Sequence, residues 1–300
     1  MSGCHGFVTV SDTGTSRRFR APASTANLGP GFDCAAAALD LWNELVVEAN
    51  GAEPTVVVDG EGADELPRDE THLSLRAFAL LAPTEGLRFR FVNRIPLERG
   101  LGASAAAVAL GLVAGAAVAG RSPAADELLG AGLPLEGHAD NLAAALHGGV
   151  CLAWRDGSRA RAARIADDLP LRPLLAVPPE RTPTARSRAS LPARVAHADA
   201  AATAGAAARL GAAVAAGDAE LLRSAFADAL HEPYRRGEAP LLAELDGLGA
   251  GVTLSGSGPA VVVWAEPERA GDVAALVARA APAGTRVLPL AVAGRGAGPA

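Results

Sequence analysis

RIPLERGLGASAAAVALGLVAGAAVA, residues 94–119, is the stretch around which the chain is organised. A strand-like run over residues 87–95 leads into it, with Leu87, Phe89 and Phe91 alternating with Arg88, Arg90 and Val92. That period is the mark of a half-buried strand. Pro96 follows, then a tight pair, Gly100 and Gly102. After Ala103 and Ser104 comes an almost purely small and apolar helix. The glycine pair lets the backbone turn sharply and leaves no Cβ to block a ligand. The amides of Ala103, Ser104, Ala105 and Ala106 are then the free N–H groups that open a helix. With the helix dipole they form an anion site. A phosphate cradle and an ordinary strand-to-helix turn both fit this stretch taken alone.

Composition narrows the field. The 300 residues suit one large or two modest domains. A formal net charge of −6 argues against nucleic acid as main partner. All 27 basic residues are Arg. Without Lys there is no GxxxxGK[ST] phosphate loop and no Schiff base on a protein lysine. Cys4, Cys34 and Cys151 are odd in number and lack CxxC spacing, so they read as reduced thiols of a cytoplasmic protein. The N-terminus lacks a basic-then-apolar signal pattern. The apolar run 105–119 is broken by Gly and is shorter than the ~20 residues of a membrane span.

Working outward, residues 1–16 read as a loose tail and 17–22 as a short strand. Asn27, Gly29, Pro30 and Gly31 mark a tight loop, with Ser24, Thr25, Asn27 and Asp33 clustered around it. A strand over 35–41 follows. Residues 44–49 and 54–59 read as a hairpin around Asn50–Gly51, and 69–81 as a short helix. Beyond the glycine loop, Ser122 and Pro123 start a helix over 123–133. Glu136, His138, Asp140 and Asn141 gather ahead of an Ala/Leu helix, which Asp140 or Asn141 is placed to cap. Their spacing matches neither HExxH nor a zinc ribbon.

Residues 155–168 are charged and irregular, a strand and linker between domains. An apolar strand at 171–178 precedes a basic loop, TPTARSRASLP, at 182–192. Helices over 199–216 and 218–231 are divided by Gly217, and HEPYRR, 231–236, follows. Residues 249–265 read as strand, SGSG turn, strand. A helix over 266–281, a strand over 286–292 and a tail complete an α+β order.

Taken together these pieces resemble the GHMP kinase superfamily and, within it, the homoserine kinase family. The Asn27–Asp33 loop, the Pro96–Ala106 glycine loop and the Ser255–Ala260 turn match the superfamily. PASTANLGPGFD (22–33), EGHADN (136–141) and LHEPYR (230–235) match homoserine kinases specifically, and TARSRASLP (184–192) does so more weakly. One departure stands out. The family usually has GLGSS, and here Ala103 replaces the first serine, leaving Ser104 as the loop's hydroxyl.

The resemblance implies an α+β, two-domain GHMP kinase fold. A ribosomal protein S5 domain 2-like domain would span 17–160 and a ferredoxin-like α+β domain 161–295. It implies ATP and Mg²⁺ as cofactors and L-homoserine as substrate, with a homodimer left open and no nucleic acid or membrane partner. ATP would lie on Pro96, Leu97, Glu98, Arg99, Gly100, Leu101, Gly102, Ala103, Ser104, Ala105 and Ala106. Glu136 and Ser104 would hold the metal. Arg188 and Arg235, with Thr184 nearby, would take the carboxylate, as Arg's planar fork suits. Asp140 would meet the ammonium. Asn27, Asp33, His138, Asn141 and Gly256 would line the rest, and Asn141 and Ser104 would be the catalytic pair. No side chain is expected to serve as an essential general base.

Four other readings compete. A sister GHMP kinase for mevalonate or a sugar would not need the two arginines. A Rossmann dehydrogenase wants an acidic residue about 20 positions past its glycines, where Gly120 and Arg121 stand. A serine hydrolase built on Ser257, His138 and Asp140 lacks GxSxG. A non-catalytic amino-acid-binding relative is the option outside enzymes.

Overall fold

The computed structural model describes residues 16–51 and 53–300, without the side chains of Thr184 and Ala185. The tail read at 1–16 lies almost wholly outside them, as does Cys4. The first half holds β1 (Arg17–Ala26), β2 (Ala35–Ala49), β3 (Thr55–Gly60), α1 (Leu73–Ala79) and β4 (Leu87–Asn93). It continues through α2 (Ala103–Val118), α3 (Ala125–Glu136), α4 (Ala139–His147), β5 (Val150–Asp156) and β6 (Arg159–Ala166). The second half holds β7 (Arg172–Val177), α5 (Thr184–Ala189), α6 (His197–Ala216), α7 (Ala219–Arg223), α8 (Glu232–Arg235) and α9 (Leu241–Glu244). It ends with β8 (Gly251–Leu254), β9 (Val261–Ala265), α10 (Ala270–Ala280), β10 (Arg286–Pro289) and β11 (Gly298–Pro299).

Two sheets organise these elements. The first runs β11-β1-β2-β4-β3, and β5 and β6 extend from the start of β2. The second runs β10-β7-β9-β8. In the first sheet, α2 and α4 pack on β1 and β2, and α1 packs on α2. The bland composition of α2 is explained by that seam. A Cβ on Gly111 would stand 2.1 Å from Ser74 O, and one on Gly115 would stand 2.7 Å from Phe78 O. Only small residues admit α1 this closely. The same run delivers Ala105, Ala106, Val108, Ala109, Leu110 and Leu112 to the core.

Several sequence expectations are corrected. Residues 44–49 and 54–59 do not form a hairpin: β4 pairs antiparallel with β2, and β3 joins the far side of β4 in parallel. The alternating Phe89 and Phe91 of β4, which lies between β2 and β3, are buried. The helix expected over 123–133 starts at Ala125, capped by Ala124 rather than Ser122. That expected over 218–231 stops at Arg223, and residues 224–230 are irregular. There Asp228 accepts the amides of Leu230, His231 and Glu232, a local alternative to helical bonds. The basic loop at 182–192 contains α5. The division expected at 160 falls inside β6, which pairs with β5 in the first sheet. The C-terminal tail also returns to that sheet, where β11 pairs with β1.

Candidate active site

The two sheets meet where three turns interlock. The glycine loop after β4, the loop after β1 and the turn between β8 and β9 share hydrogen bonds. Ser255 Oγ lies 2.9 Å from Gly100 O and 3.0 Å from Thr25 Oγ1. Gly256 N donates to Ala26 O at 3.1 Å, and Asn27 Nδ2 donates to Gly256 O at 2.8 Å. Asn27 Oδ1 accepts the amide of Asp33 at 3.0 Å, which closes its own loop. That loop needs positive φ at Asn27, Leu28 and Asp33, conformations that short polar side chains tolerate better than most.

A cavity of about 440 Å³ opens beside this junction. It is of the size expected for a small ligand. Its wall brings together Pro96 to Ser104, Asn27, Asp33, Glu136, His138, Asp140, Asn141, Arg188, Arg235 and Gly256. Ala105 and Ala106 are buried behind the wall. Thr184 opens α5, and its side chain is outside the described atoms.

At one end of the cavity α2 begins. Its cap is Gly102, left-handed at φ 64°. Ala106 N already donates to Gly102 O at 2.9 Å, so the amides free of helical bonds are those of Ala103, Ser104 and Ala105. Gly102 has a reason beyond its φ. A Cβ there would lie 2.0 Å from Ser24 Oγ and 3.1 Å from Asn141 Oδ1. The room it leaves is used by the protein's own Ser24–Asn141 hydrogen bond of 2.8 Å, not held open only for a ligand. Arg99, although in the loop, turns its guanidinium to the carbonyls of Leu97, Pro178 and Pro179. The loop therefore offers backbone rather than side-chain charge.

The other end is built of side chains. Asp140 is buried at the start of α4, and burial pushes its pKa up to about 6 against the pull of the Asn141 amide. His138 Nδ1 lies 3.3 Å from Glu136 Oε1, and that hydrogen bond raises the histidine's pKa. The Glu136 side chain is 3% exposed. Arg188 of α5 is half exposed and pairs with Asp33 at 2.6 Å. Arg235 of α8 is 3% exposed and has no carboxylate within ion-pair distance among the described residues. Its Nη1 reaches Gly256 O at 3.3 Å, and its Nε has no partner among the described residues. Both guanidinium carbons lie over Phe32, at 5.6 Å and 5.5 Å from its centroid. The sequence reading missed Phe32 and His231, although they stand inside the PASTANLGPGFD and LHEPYR blocks, and it placed Ser24 in the loop cluster without giving it a role.

Residues 72–149 match the GHMP kinases N terminal domain family. Over 271 residues the chain is 41% identical to the homoserine kinase of Streptomyces coelicolor, covering 86% of this chain and 87% of that one. The chain belongs to the homoserine kinase family. It is equally 41% identical to the homoserine kinase of Mycobacterium tuberculosis over 260 residues, 80% of this chain and 81% of the other. The crystal structure of homoserine kinase from Cytophaga hutchinsonii superposes with a TM-score of 0.84 at 26% identity, covering 95% and 97% of the two chains. Leishmania major mevalonate kinase has the same fold, with a TM-score of 0.71 at 18% identity over 94% and 97%. The two-sheet α+β architecture is thus the GHMP kinase fold that the resemblance implied. No helix among the described residues is long and apolar enough to cross a membrane.

Proposed function

We propose that the protein transfers the γ-phosphoryl group of ATP to the side-chain hydroxyl of L-homoserine. The products are O-phospho-L-homoserine and ADP, and the reaction belongs to threonine biosynthesis. The observation that carries this reading is a single cavity in which three features meet. They are the open N-terminus of α2, a buried carboxylate, and a buried guanidinium with an unpartnered N–H. The first suits phosphates. The second and third suit the two charges of an amino acid.

In this reading the amides of Ala103 to Ala105 hold ATP phosphates, and Arg235 and Arg188 take the homoserine carboxylate. Asp140 takes the ammonium. A bound ammonium also resolves the energetic cost of a buried, unpaired carboxylate. Mevalonate has no ammonium and would leave that carboxylate unpaired. Asn141 orients the accepting hydroxyl, with its own amide fixed by Ser24 Oγ and by Asp140 Oδ1.

The donor set also fits Mg²⁺ carried on the nucleotide. Among the described residues no group of three or more His, Cys, Asp or Glu side chains gathers into a metal cage. A nearly buried Glu136 carboxylate and an exposed Ser104 hydroxyl both face the cavity. One or two protein oxygens with phosphates and water are what Mg²⁺ ordinarily takes. Bound there, it would neutralise charge developing on the transferred group. Phosphoryl transfer then asks the chain mainly for positioning and charge stabilisation, and the hydroxyl proton can pass to a phosphate oxygen.

ADP release, measured with homoserine, mevalonate and galactose in turn, tests the reading. Homoserine is expected to be turned over and the others to be poor. Equal turnover of mevalonate or galactose would overturn the substrate assignment. Homoserine binding without ADP release would make the protein a binder.

A further inference from the structure

His231 has no part in the reaction set out above, yet its ring is completely buried and both of its nitrogens are engaged. Nε2 lies 2.8 Å from Gly29 O, and Nδ1 lies 3.1 Å from Arg235 Nη1. A carbonyl can only accept, so Nε2 carries the hydrogen. A guanidinium can only donate, so Nδ1 presents its lone pair. The two partners together fix the neutral Nε2–H tautomer. Asp228 is the nearest acid, with Oδ2 3.6 Å from Nε2. Its oxygens are already taken by the amides of Leu230, His231 and Glu232. The ring also stacks on Phe32 at 5.0 Å, and Arg235 lies over that same Phe32.

We infer that His231 is a positioning residue for carboxylate specificity: its bare Nδ1 holds Arg235 Nη1 and leaves the rest of the guanidinium for the substrate. The inference rests on reading Arg235 as the carboxylate anchor. Its physical point is the neutrality of the acceptor. An acidic partner would orient Arg235 equally well but would cancel the charge the substrate needs. Arg188, paired with Asp33, shows that alternative. A neutral ring nitrogen orients the guanidinium without placing a negative charge in contact with it. Hydrogen bonds to a charged group in a buried site are among the stronger ones available.

The test compares homoserine with homoserinol, in which a hydroxymethyl group replaces the carboxylate. His231→Phe keeps the ring stack on Phe32 and removes the acceptor. It is expected to raise the homoserine KM about 10- to 100-fold. It should change kcat by less than about threefold and leave the homoserinol KM unchanged. His231→Asn, which returns an acceptor oxygen near the Nδ1 position, should recover most of the loss. Equal losses for both substrates, no rescue by Asn, or an unchanged homoserine KM would each overturn the inference. Should the Phe variant fail to fold, imidazole ¹⁵N NMR of the unaltered protein decides. A protonated Nε2 with bare Nδ1 supports the inference, and a protonated Nδ1 sinks it. Arg235→Met is the separate control. If it leaves the preference for homoserine over homoserinol intact, the carboxylate reading itself has failed, whatever His231 does.

Discussion

The two ends of the cavity are made of different material. The α2 end is backbone: free amides, two left-handed glycines, and an arginine turned away to carbonyls. The α4–α8 end is side chain, contributed by the β1–β2 loop and by α4, α5 and α8. A backbone site is determined by local sequence and has no tolerance for a new Cβ. A side-chain site is assembled by tertiary contacts and can lose one member while keeping its shape. The two should therefore fail differently when mutated, the first through structure and the second through affinity.

Gly100→Ala should give the largest effect. Its φ is +74°, and a Cβ would stand 1.9 Å from Ser255 O, a backbone atom that cannot swing aside. Left-handed strain costs about 1–3 kcal/mol and overpacking about as much again. Against a typical total of about 5–15 kcal/mol this is a severe loss. Denaturant unfolding should show it, together with loss of turnover for every substrate. Gly130→Ala in α3 is the contrast, with open space around its Cβ and helical backbone, and it should gain up to about 1 kcal/mol. A stable, active Gly100→Ala protein would break the distinction drawn between the two ends.

This difference also explains what could be read from the sequence. The glycine loop, the helix behind it and the α+β order follow from local patterns, and the structure has them. The gathering at the side-chain end was suggested only by resemblance, because nothing local says that Asp33, Asp140 and Arg235 line one cavity. Phe32 looks like a core aromatic until Arg188 and Arg235 lie over it. Ser24 is one of four clustered polar residues in the sequence, and its bond to Asn141 shows only where Gly102 leaves room for it. The hairpin expectation failed for a related reason. Asn50–Gly51 does turn the chain, with Gly51 at φ +66°, but β4 rather than β3 pairs with β2. The shortened helix before α8 depended on Asp228 capturing three amides, a bond pattern that any Asp in a helical stretch has the means to form.

At the side-chain end, Arg235 and Arg188 should part company. Arg235 is buried without an acidic partner in contact among the described residues, so Arg235→Met leaves a substrate carboxylate under-paired, at about 2–5 kcal/mol. Arg188 is 48% exposed and shared with Asp33, and exposed pairs contribute about 0–1 kcal/mol. The homoserine KM should rise by more than about 30-fold for Arg235→Met and by less than about tenfold for Arg188→Met. Equal effects would show that burial does not rank the two cations.

Asp140 allows stability and binding to be separated at one residue. Its folded pKa of about 6 stands above the unfolded value near 3.8 because burial disfavours the charge. The free protein therefore holds the proton more tightly than the unfolded chain does. Its ionisation costs stability above about pH 6, and that cost is relieved as pH falls from 6 towards 4. Asp140→Asn should accordingly stabilise the unliganded protein by about 2–3 kcal/mol at pH 7, with the gain vanishing near pH 4. The same variant should use homoserine poorly at every pH. In the parent, kcat/KM for homoserine should fall about tenfold per pH unit below 6, because only the ionised carboxylate meets the ammonium. A destabilised Asp140→Asn protein at pH 7 would show that this carboxylate is paired in the free enzyme.

The smallest expected effect separates two neighbours on the edge of the same site. Asn141 has its Oδ1 engaged by Ser24 at 2.8 Å and its Nδ2 3.3 Å from Asp140, so its amide plane is fixed before any substrate arrives. His138 is held through Glu136 among the described residues, and its side chain is 33% exposed. The bond to Glu136 keeps a proton on His138 to higher pH, which is the wrong direction for a group that must take one up. His138→Leu should therefore raise the homoserine KM by about tenfold or less while kcat moves by less than about threefold. Asn141→Ala should act on kcat, because an unoriented hydroxyl loses its line of attack. A general base is ordinarily worth about 10²–10⁴-fold in rate. A loss of that size in kcat for His138→Leu, with disappearance of the acidic limb of the kcat profile, would make His138 the proton acceptor and remove phosphate from that part.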